Sequence, residues 1–225
     1  EVNIVTVEDP IEYNMSHVNQ TQMNPQAGIT FASGLRALLR QDPNVIMVGE
    51  IRDAETAGIA VQAALTGHLL LSSLHTNNAP IAVPRLFDLS VPPFLVSSVL
   101  NLIIAQRLVR RICRACVSSY KVGPEVGRIV ADQLENFGIK DAKIKIPNYL
   151  YKGSGCPACG STGYSGRVGI YEVIEINDKI REVIVASSFS LDALKQEVRK
   201  NGEKTMFEDG LDKAVNGLTT IEEVM

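Results

Sequence analysis

The four cysteines of this chain fall in two C-x-x-C pairs, Cys113/Cys116 and Cys156/Cys159, with none to spare. Two such knuckles can present four thiolates to one tetrahedral ion, and Zn²⁺ favours that donor set. The segment between them is punctuated by Gly and Pro, so a metal would staple a region with little apolar core of its own. Two disulfides or four reduced thiols are the other states this pattern allows. Four thiolates leave no open position for water, so a zinc ion here would be structural. Catalytic chemistry has to be sought elsewhere in the chain.

A length of 225 residues suits one large domain, or one domain with an appended module. With 45% hydrophobic and 21% charged residues the chain reads as globular. No apolar run reaches the length of a membrane span. The opening Glu1-Val2-Asn3-Ile4 has no basic n-region and no signal-type apolar core. Because it opens directly on a strand-like run, the chain is expected to be part of a longer polypeptide. The net charge of −3 supplies no global basic field for nucleic acid. Residues 1–106 carry 4 basic and 9 acidic groups, so the first half in particular is acidic. Paired knuckles fit a reducing compartment, where thiols stay free for metal.

Val2 to Val7 is β-branched and short, as in a buried strand. Residues 14–29 are polar and read as a loop or a weak hairpin. Thr30 is placed to cap a helix from Phe31 to about Gln41, and Asp42-Pro43-Asn44 stops it. Val45 to Val48 is a continuous apolar run of strand length. Asp53 is placed to cap a helix to about Leu65, closed by Gly67, and the next strand runs from His68 to Leu74. Such alternation predicts an α/β fold, with a parallel sheet covered on both faces. A helix over Ala79–Leu89 has to accommodate Pro84. Pro92-Pro93 opens another helix through about Leu102. Gly166 to Val173 reads as a strand. Helices follow at about 178–187, 190–201 and 205–216, and Thr219 to Glu223 carries a capping pattern for one more turn.

The strongest catalytic signal is Val45-Ile46-Met47-Val48-Gly49-Glu50. An apolar strand delivering a carboxylate at its C-terminal end has the shape of a Walker B element, beside Mg²⁺ and a terminal phosphate. Many buried strands also end in a solvated Glu. Context adds weight, because three apolar strands end in polar clusters: Glu8, Asp9 and Glu12; Glu50, Arg52 and Asp53; His75, Thr76 and Asn77. Open α/β sheets bind ligands at the carboxyl ends of their strands. Asp53 and Asn77 could be only helix caps. His68 and His75 lie at opposite ends of one strand and, at odd spacing, on opposite faces. His75 is the better placed of the two to sense a γ-phosphate. Arg36 and Arg40 are neighbours on one helix face, either as partners of acids or as phosphate ligands. Arg107, Arg110, Arg111 and Arg114 cluster beside the first knuckle. With no aromatic platform there, a protein-facing or solvated role is preferred to nucleic-acid binding.

Taken together these residues resemble the secretion ATPase superfamily. Glu8-Asp9-Pro10-Ile11-Glu12-Tyr13 looks like its Asp box, and Leu35 through Asp53 is similar to its Walker B region. Thr66-Gly67-His68 through Asn77 resembles its His box. Ala105 through Arg110, the cysteine pairs, Gly166 through Glu172 and Thr205 through Gly210 carry the similarity to the end of the chain. The match is to the C-terminal ATPase domain of type IV pilus assembly or type II secretion motors. It implies a RecA-like core, ATP and Mg²⁺, a homo-hexameric ring, and a cytoplasmic motor docked on an inner-membrane platform protein, with no direct nucleic-acid contact. Carried over by position, Glu12 resembles the glutamate that activates the attacking water. Glu50 resembles the Walker B glutamate that holds Mg²⁺ through water. His68 and His75 match the histidines that couple nucleotide state to conformation. The expected assignment is Glu12, Glu50 and His75 as catalytic, Glu8, Asp9, Arg52 and His68 as nucleotide-binding, and Cys113, Cys116, Cys156 and Cys159 as ligands of structural zinc.

One departure matters. No G-x-x-x-x-G-K-[ST] occurs in the chain, and in the family that loop precedes the Asp box. Without its amides and lysine the phosphates lose their main cradle, so this segment alone is expected to be inactive. The expected division is a RecA-like core lacking its first strand and P-loop (1–111), a tetracysteine zinc subdomain (112–165), and a C-terminal strand and helical region (166–225). The competing reading is a non-enzymatic, zinc-stapled interaction module.

Overall fold

The computed structural model describes residues 2–136 and 147–225. The expected subdomain 112–165 therefore includes a stretch, 137–146, outside the described residues. The elements are β1 (Ile4–Glu8), β2 (Asn19–Gln22), α1 (Phe31–Leu38), β3 (Val45–Val48), α2 (Ala54–Leu65), β4 (Leu69–Ser72), α3 (Ala82–Asp88), α4 (Pro93–Val99) and β5 (Leu102–Ile112). They continue with β6 (Val117–Lys121), α5 (Pro124–Asn136), β7 (Tyr149–Gly153), β8 (Tyr164–Glu175), α6 (Asp178–Val185), α7 (Leu191–Lys200), α8 (Met206–Val215) and α9 (Ile221–Val224). The chain divides into two compact units, each made of two stretches: 1–103 with 174–201, and 104–173 with 202–225.

In the first unit four parallel strands lie in the order β2-β1-β3-β4. The register Val5↔Ile46↔Leu70 and Val7↔Val48 puts these side chains on one face. Val5, Val7, Ile46 and Val48 are fully buried there. α1 packs on β1 and β3, and α2 packs on β4 and α1, bringing Phe31, Leu35, Leu38, Ala57 and Ala60 into the same core. On the other face Leu69 and Leu71 of β4 stay exposed, at 57% and 52%. The expectation of a sheet covered on both faces is corrected at β4: its apolar run is not buried on both sides.

Local chemistry sets the helix ends. Thr30 caps α1 with a reciprocal box, its Oγ1 accepting from the Ser33 amide while the Ser33 hydroxyl accepts from the Thr30 amide. α1 stops at Leu38, short of the expected Gln41. Residues 40 and 41 close with i→i−3 bonds, and Asp42 takes a left-handed φ of 50° before Pro43. Pro84 leaves α3 unbroken because it falls in the first turn, where its missing N–H is not needed. α4 ends at Val99 because Leu100 turns extended, and the following run becomes β5 rather than more helix. The 14–29 segment holds a strand, β2, which pairs parallel with β1, and its only antiparallel pairing among the described residues is a small bridge, Asn24↔Ile29, closed by two backbone bonds of 2.9 Å.

In the second unit β5 pairs with β8, and β6 pairs antiparallel with β7 in the register Val117↔Gly153 to Lys121↔Tyr149. Val130, Leu150, Phe207, Leu211, Ile221 and Val224 form its core. Helices α8 and α9 are tied to β5 and β8 by specific bonds. Thr219 Oγ1 donates to the Arg110 carbonyl at 2.8 Å, Arg110 is paired with the Glu223 carboxylate, and the Tyr171 amide donates to Asp209 at 2.8 Å.

Candidate functional site

Because the four strands run parallel, β1, β3 and β4 deliver their following residues to one edge of the sheet. Gly49 makes the approach possible there. Its amide donates to the Val7 carbonyl at 2.8 Å, and a Cβ at this position would stand 3.3 Å from that oxygen and 3.4 Å from the Glu8 Cα. The Ser73 hydroxyl donates to the Gly49 carbonyl at 2.6 Å, and the Ile51 amide to the Ser73 carbonyl at 3.0 Å. These bonds lock the segment after β3 to the segment after β4.

Glu50 is held by that lock. Its side chain is 12% exposed, and both carboxylate oxygens are engaged. Oε1 pairs with the Arg52 guanidinium, and Oε2 lies 2.5 Å from His75 Nε2. A carboxylate can only accept, so the imidazole donates from Nε2. Arg52 and His75 are themselves exposed, which leaves the trio open to solvent on one side. The bond from Arg52 holds the Glu50 carboxyl below its usual range; burial opposes this, and His75 adds to it. The Arg52 guanidinium is pushed up by Glu50 first, with attraction from Asp9 adding to it. The structure thus brings Glu50, Arg52 and His75 into contact, with Asp9 in electrostatic range.

This arrangement carries a sign. A carboxyl held lower in the folded than in the unfolded state stabilises the fold above its ordinary titration range. That contribution is lost as pH falls through the folded value. The Glu50 carboxyl carbon, followed by NMR, is expected to titrate below ordinary glutamates and to move back up in Arg52→Ala. No upward movement in that variant would show that Arg52 is not the cause.

The other expected residues are placed as follows. Glu12 is exposed on the loop that leaves β1. Glu8 is buried, and its Oε1 accepts from the Thr6 hydroxyl at 2.6 Å and from Gln20 Nε2 at 2.9 Å. It is engaged inside the protein. Asp53 caps α2, accepting from the Thr56 amide and hydroxyl, and Arg36 pairs with the exposed Glu55. His68 precedes β4, at the opposite end of the sheet from Glu50. Its Nδ1 lies 3.0 Å from the Ala63 carbonyl, which fixes the proton on Nδ1. Seven residues at about 3.3 Å each separate it from His75, so the structure does not bring the two histidines together. Gln20, which sequence reading passed over in a presumed loop, is the polar side chain that reaches Glu8.

The cysteines converge. Sγ–Sγ distances are 3.9 Å for Cys113–Cys156, 3.9 Å for Cys116–Cys159 and 3.7 Å for Cys156–Cys159, and all four sulfurs lie within 4.8 Å of one another. A disulfide would need about 2.05 Å. A tetrahedron with Zn–S of about 2.3 Å has edges of about 3.8 Å, so the donor set fits zinc. The close backbone turn behind it requires Gly163, at φ 79°, where a Cβ would stand 2.6 Å from the Gly153 carbonyl. The amides of Cys156 and Gly163 donate to Cys159 Sγ at 3.2 and 3.3 Å. The Cys156 amide foremost lowers the Cys159 thiol to about 6, whereas burial pushes Cys116 up to about 12. Four thiolates this close would repel one another unless a cation stood among them, and a Zn²⁺ ion would supply that charge.

A family model described as Type II/IV secretion system protein matches residues 1–225. The chain belongs to this family. It is 51% identical over 223 residues to the type IV pilus assembly ATPase PilB of Thermus thermophilus, covering 99% of this chain and 24% of that protein. It is 48% identical over 225 residues to the type II secretion system ATPase E of Vibrio cholerae, covering all of this chain and 42% of that one. The chain thus spans well under half the length of these relatives. Among solved structures, the pilus retraction motor PilT with bound ADP superposes with a TM-score of 0.67 at 30% identity, over 100% of this chain and 52% of that one. The ATPase DotB of Legionella pneumophila, at 21% identity and a TM-score of 0.66 over 99% of this chain and 50% of that one, shares the fold. No described helix is long and apolar enough to cross a membrane.

Proposed function

We propose that this segment carries the hydrolysis and coupling groups of a hexameric, RecA-like motor ATPase that drives pilus assembly or protein secretion. The observation that supports this most is the Glu50 carboxylate. It is held by Arg52 and His75 at the C-terminal edge of a parallel sheet, where α/β folds bind ligands. Mg²⁺ bound with ATP would neutralise phosphate charge beside Glu50. Glu12, on the loop after the neighbouring strand, orients or deprotonates the attacking water. His75 shares its proton with Glu50 and so responds to whatever changes the charge there. Asp9 and Arg52 line the same edge as nucleotide-binding groups, and Glu8 supports them from inside. His68, at the far end of β4, suits coupling rather than phosphate contact. The tetracysteine cluster holds structural zinc.

In this reading the complete motor is a homo-hexamer in the cytoplasm, peripheral at the inner membrane through a platform protein, and needs no nucleic acid. A phosphate-binding loop comes from the longer polypeptide. The 225-residue segment alone is then expected to turn ATP over far more slowly than about 1 s⁻¹, the lower end of ordinary enzyme turnover. The full-length ATPase is expected to exceed that rate. Mg²⁺-dependent phosphate release measured on both decides. Turnover near 1 s⁻¹ by the segment alone, or none by the full-length protein, would overturn the proposal.

A further inference from the structure

Gln20 lies in β2, a strand with no apolar residue. Its amide makes three hydrogen bonds at once. Nε2 donates to Glu8 Oε1 at 2.9 Å and to the Tyr13 carbonyl at 3.0 Å, and Oε1 accepts from the Met15 amide at 2.7 Å. The partners set the orientation. A carboxylate and a carbonyl only accept and a backbone N–H only donates, so a flipped amide would set oxygen against oxygen. No other side chain of this length fits. Glu lacks the two donors, Asn is one methylene short, and Met fills the space without a bond.

The loop this amide grips is residues 9–15, which carries Asp9 and Glu12. None of its residues is buried. Among the described residues, the hydrogen bonds it makes run to Gln20. An exposed loop without a buried anchor opens at little cost. A side chain on a paired strand, bonded at both Tyr13 and Met15, holds it just beyond Glu12. The third bond, to Glu8, ties the same amide to the end of β1.

We infer that Gln20 is a positioning residue that fixes the Glu12 loop at the C-terminal end of the sheet. The anchor stands on geometry alone; its catalytic consequence rests on the proposed role of Glu12.

Two measurements test the two halves. In this chain, hydrogen exchange at the Met15 amide is expected to speed up about two- to tenfold in Gln20→Met, a loss the size of one net hydrogen bond. In the full-length ATPase the same variant is expected to lower kcat by about ten- to a hundredfold, the scale of a misplaced catalytic group. KM for ATP should not change, because no phosphate contact is touched. Gln20→Glu keeps the length and the acceptor for Met15, but it can donate only when protonated. Its kcat, relative to wild type at each pH, is expected to recover partly toward about pH 5, whereas Gln20→Met shows no such recovery. A packing role alone would not separate the two variants by pH. Unchanged Met15 exchange in Gln20→Met overturns the anchor. Faster exchange with full kcat overturns the positioning role. A wild-type full-length protein that hydrolyses no ATP overturns the proposed function and the catalytic consequence with it, while the exchange measurement still decides the anchor.

Discussion

Glu50→Gln in the full-length protein, if it is the ATPase proposed above, is expected to keep nucleotide binding and to lose turnover by about a hundredfold or more, the scale of removing one preorganised electrostatic group. The geometry explains why the loss should be large for so small a change. The wild-type carboxylate accepts from Arg52 on one oxygen and from His75 on the other. An amide offers one oxygen and one NH₂. If the oxygen faces Arg52, the NH₂ meets Nε2 of His75, and that contact survives only if the imidazole carries its proton on Nδ1 instead. The substitution removes a charge and reverses the direction of the bond to the β4 end. Affinity persists because a phosphate loop would supply the main cradle for ATP. Glu12→Gln is expected to show a comparable loss, and His75→Ala a smaller one, since Glu50 keeps its charge and its Arg52 partner. Nucleotide binding and steady-state hydrolysis on the three variants, each checked for fold and assembly, provide the test. Full activity in Glu50→Gln would mean that this strand end is structural, and the mechanism would have to be abandoned.

Metal removal should have the other large effect. Reduced, tag-free protein is expected to contain one Zn²⁺ per chain. Structural zinc in small peptides binds with an apparent 10–16 kcal/mol or about that, comparable with the roughly 5–15 kcal/mol that holds a whole domain folded. Chelation, or Cys156→Ser, is therefore expected to melt the region around Cys113–Cys116, the antiparallel β6–β7 pair and Cys156–Cys159. The parallel sheet should persist. Its core of Val5, Val7, Ile46 and Val48, with Leu35 and Leu38, contains no cysteine. Hydrogen exchange resolved along the chain checks both halves of this outcome. Zinc-free protein with an unchanged β6–β7 pair would show that the four thiols are only a reduced cluster.

Much of the candidate site's edge was legible in the sequence for a simple reason. Val45–Val48 and the apolar run ending before His75 read as strands by length and composition, although β4 leaves Leu69 and Leu71 exposed, and polar residues following adjacent parallel strands emerge together at one edge. Helix caps were legible for the same kind of local reason, since Thr30 and Asp53 bond to amides three residues away. β2 was not legible. Asn19-Gln20-Thr21-Gln22 carries no apolar pattern, and it is a strand only because its backbone pairs with β1. Gln20 stayed hidden with it, because its partners Glu8, Tyr13 and Met15 are set by that pairing. β5 was obscured by its arginines and by the apolar run that joins it to α4. Glu8 reads from sequence as one more acid at the site, and only its bonds to Thr6 and Gln20 show it engaged within the protein.

The sequence by itself determined the alternation of strands and helices, the acidic and histidine-bearing strand end, and the tetracysteine pairing. All of these rest on composition and spacing over a few neighbouring residues. The tertiary structure decided what depends on segments far apart in the chain. It brought Glu50 to His75 across 25 positions and the two knuckles together across 43. It also placed helices α8 and α9 in one core with Leu150 of β7 and Val130 of α5. Those contacts come from strand register and from the closure of one apolar core. Neither is written in any local stretch, because each depends on which distant face a buried side chain finds.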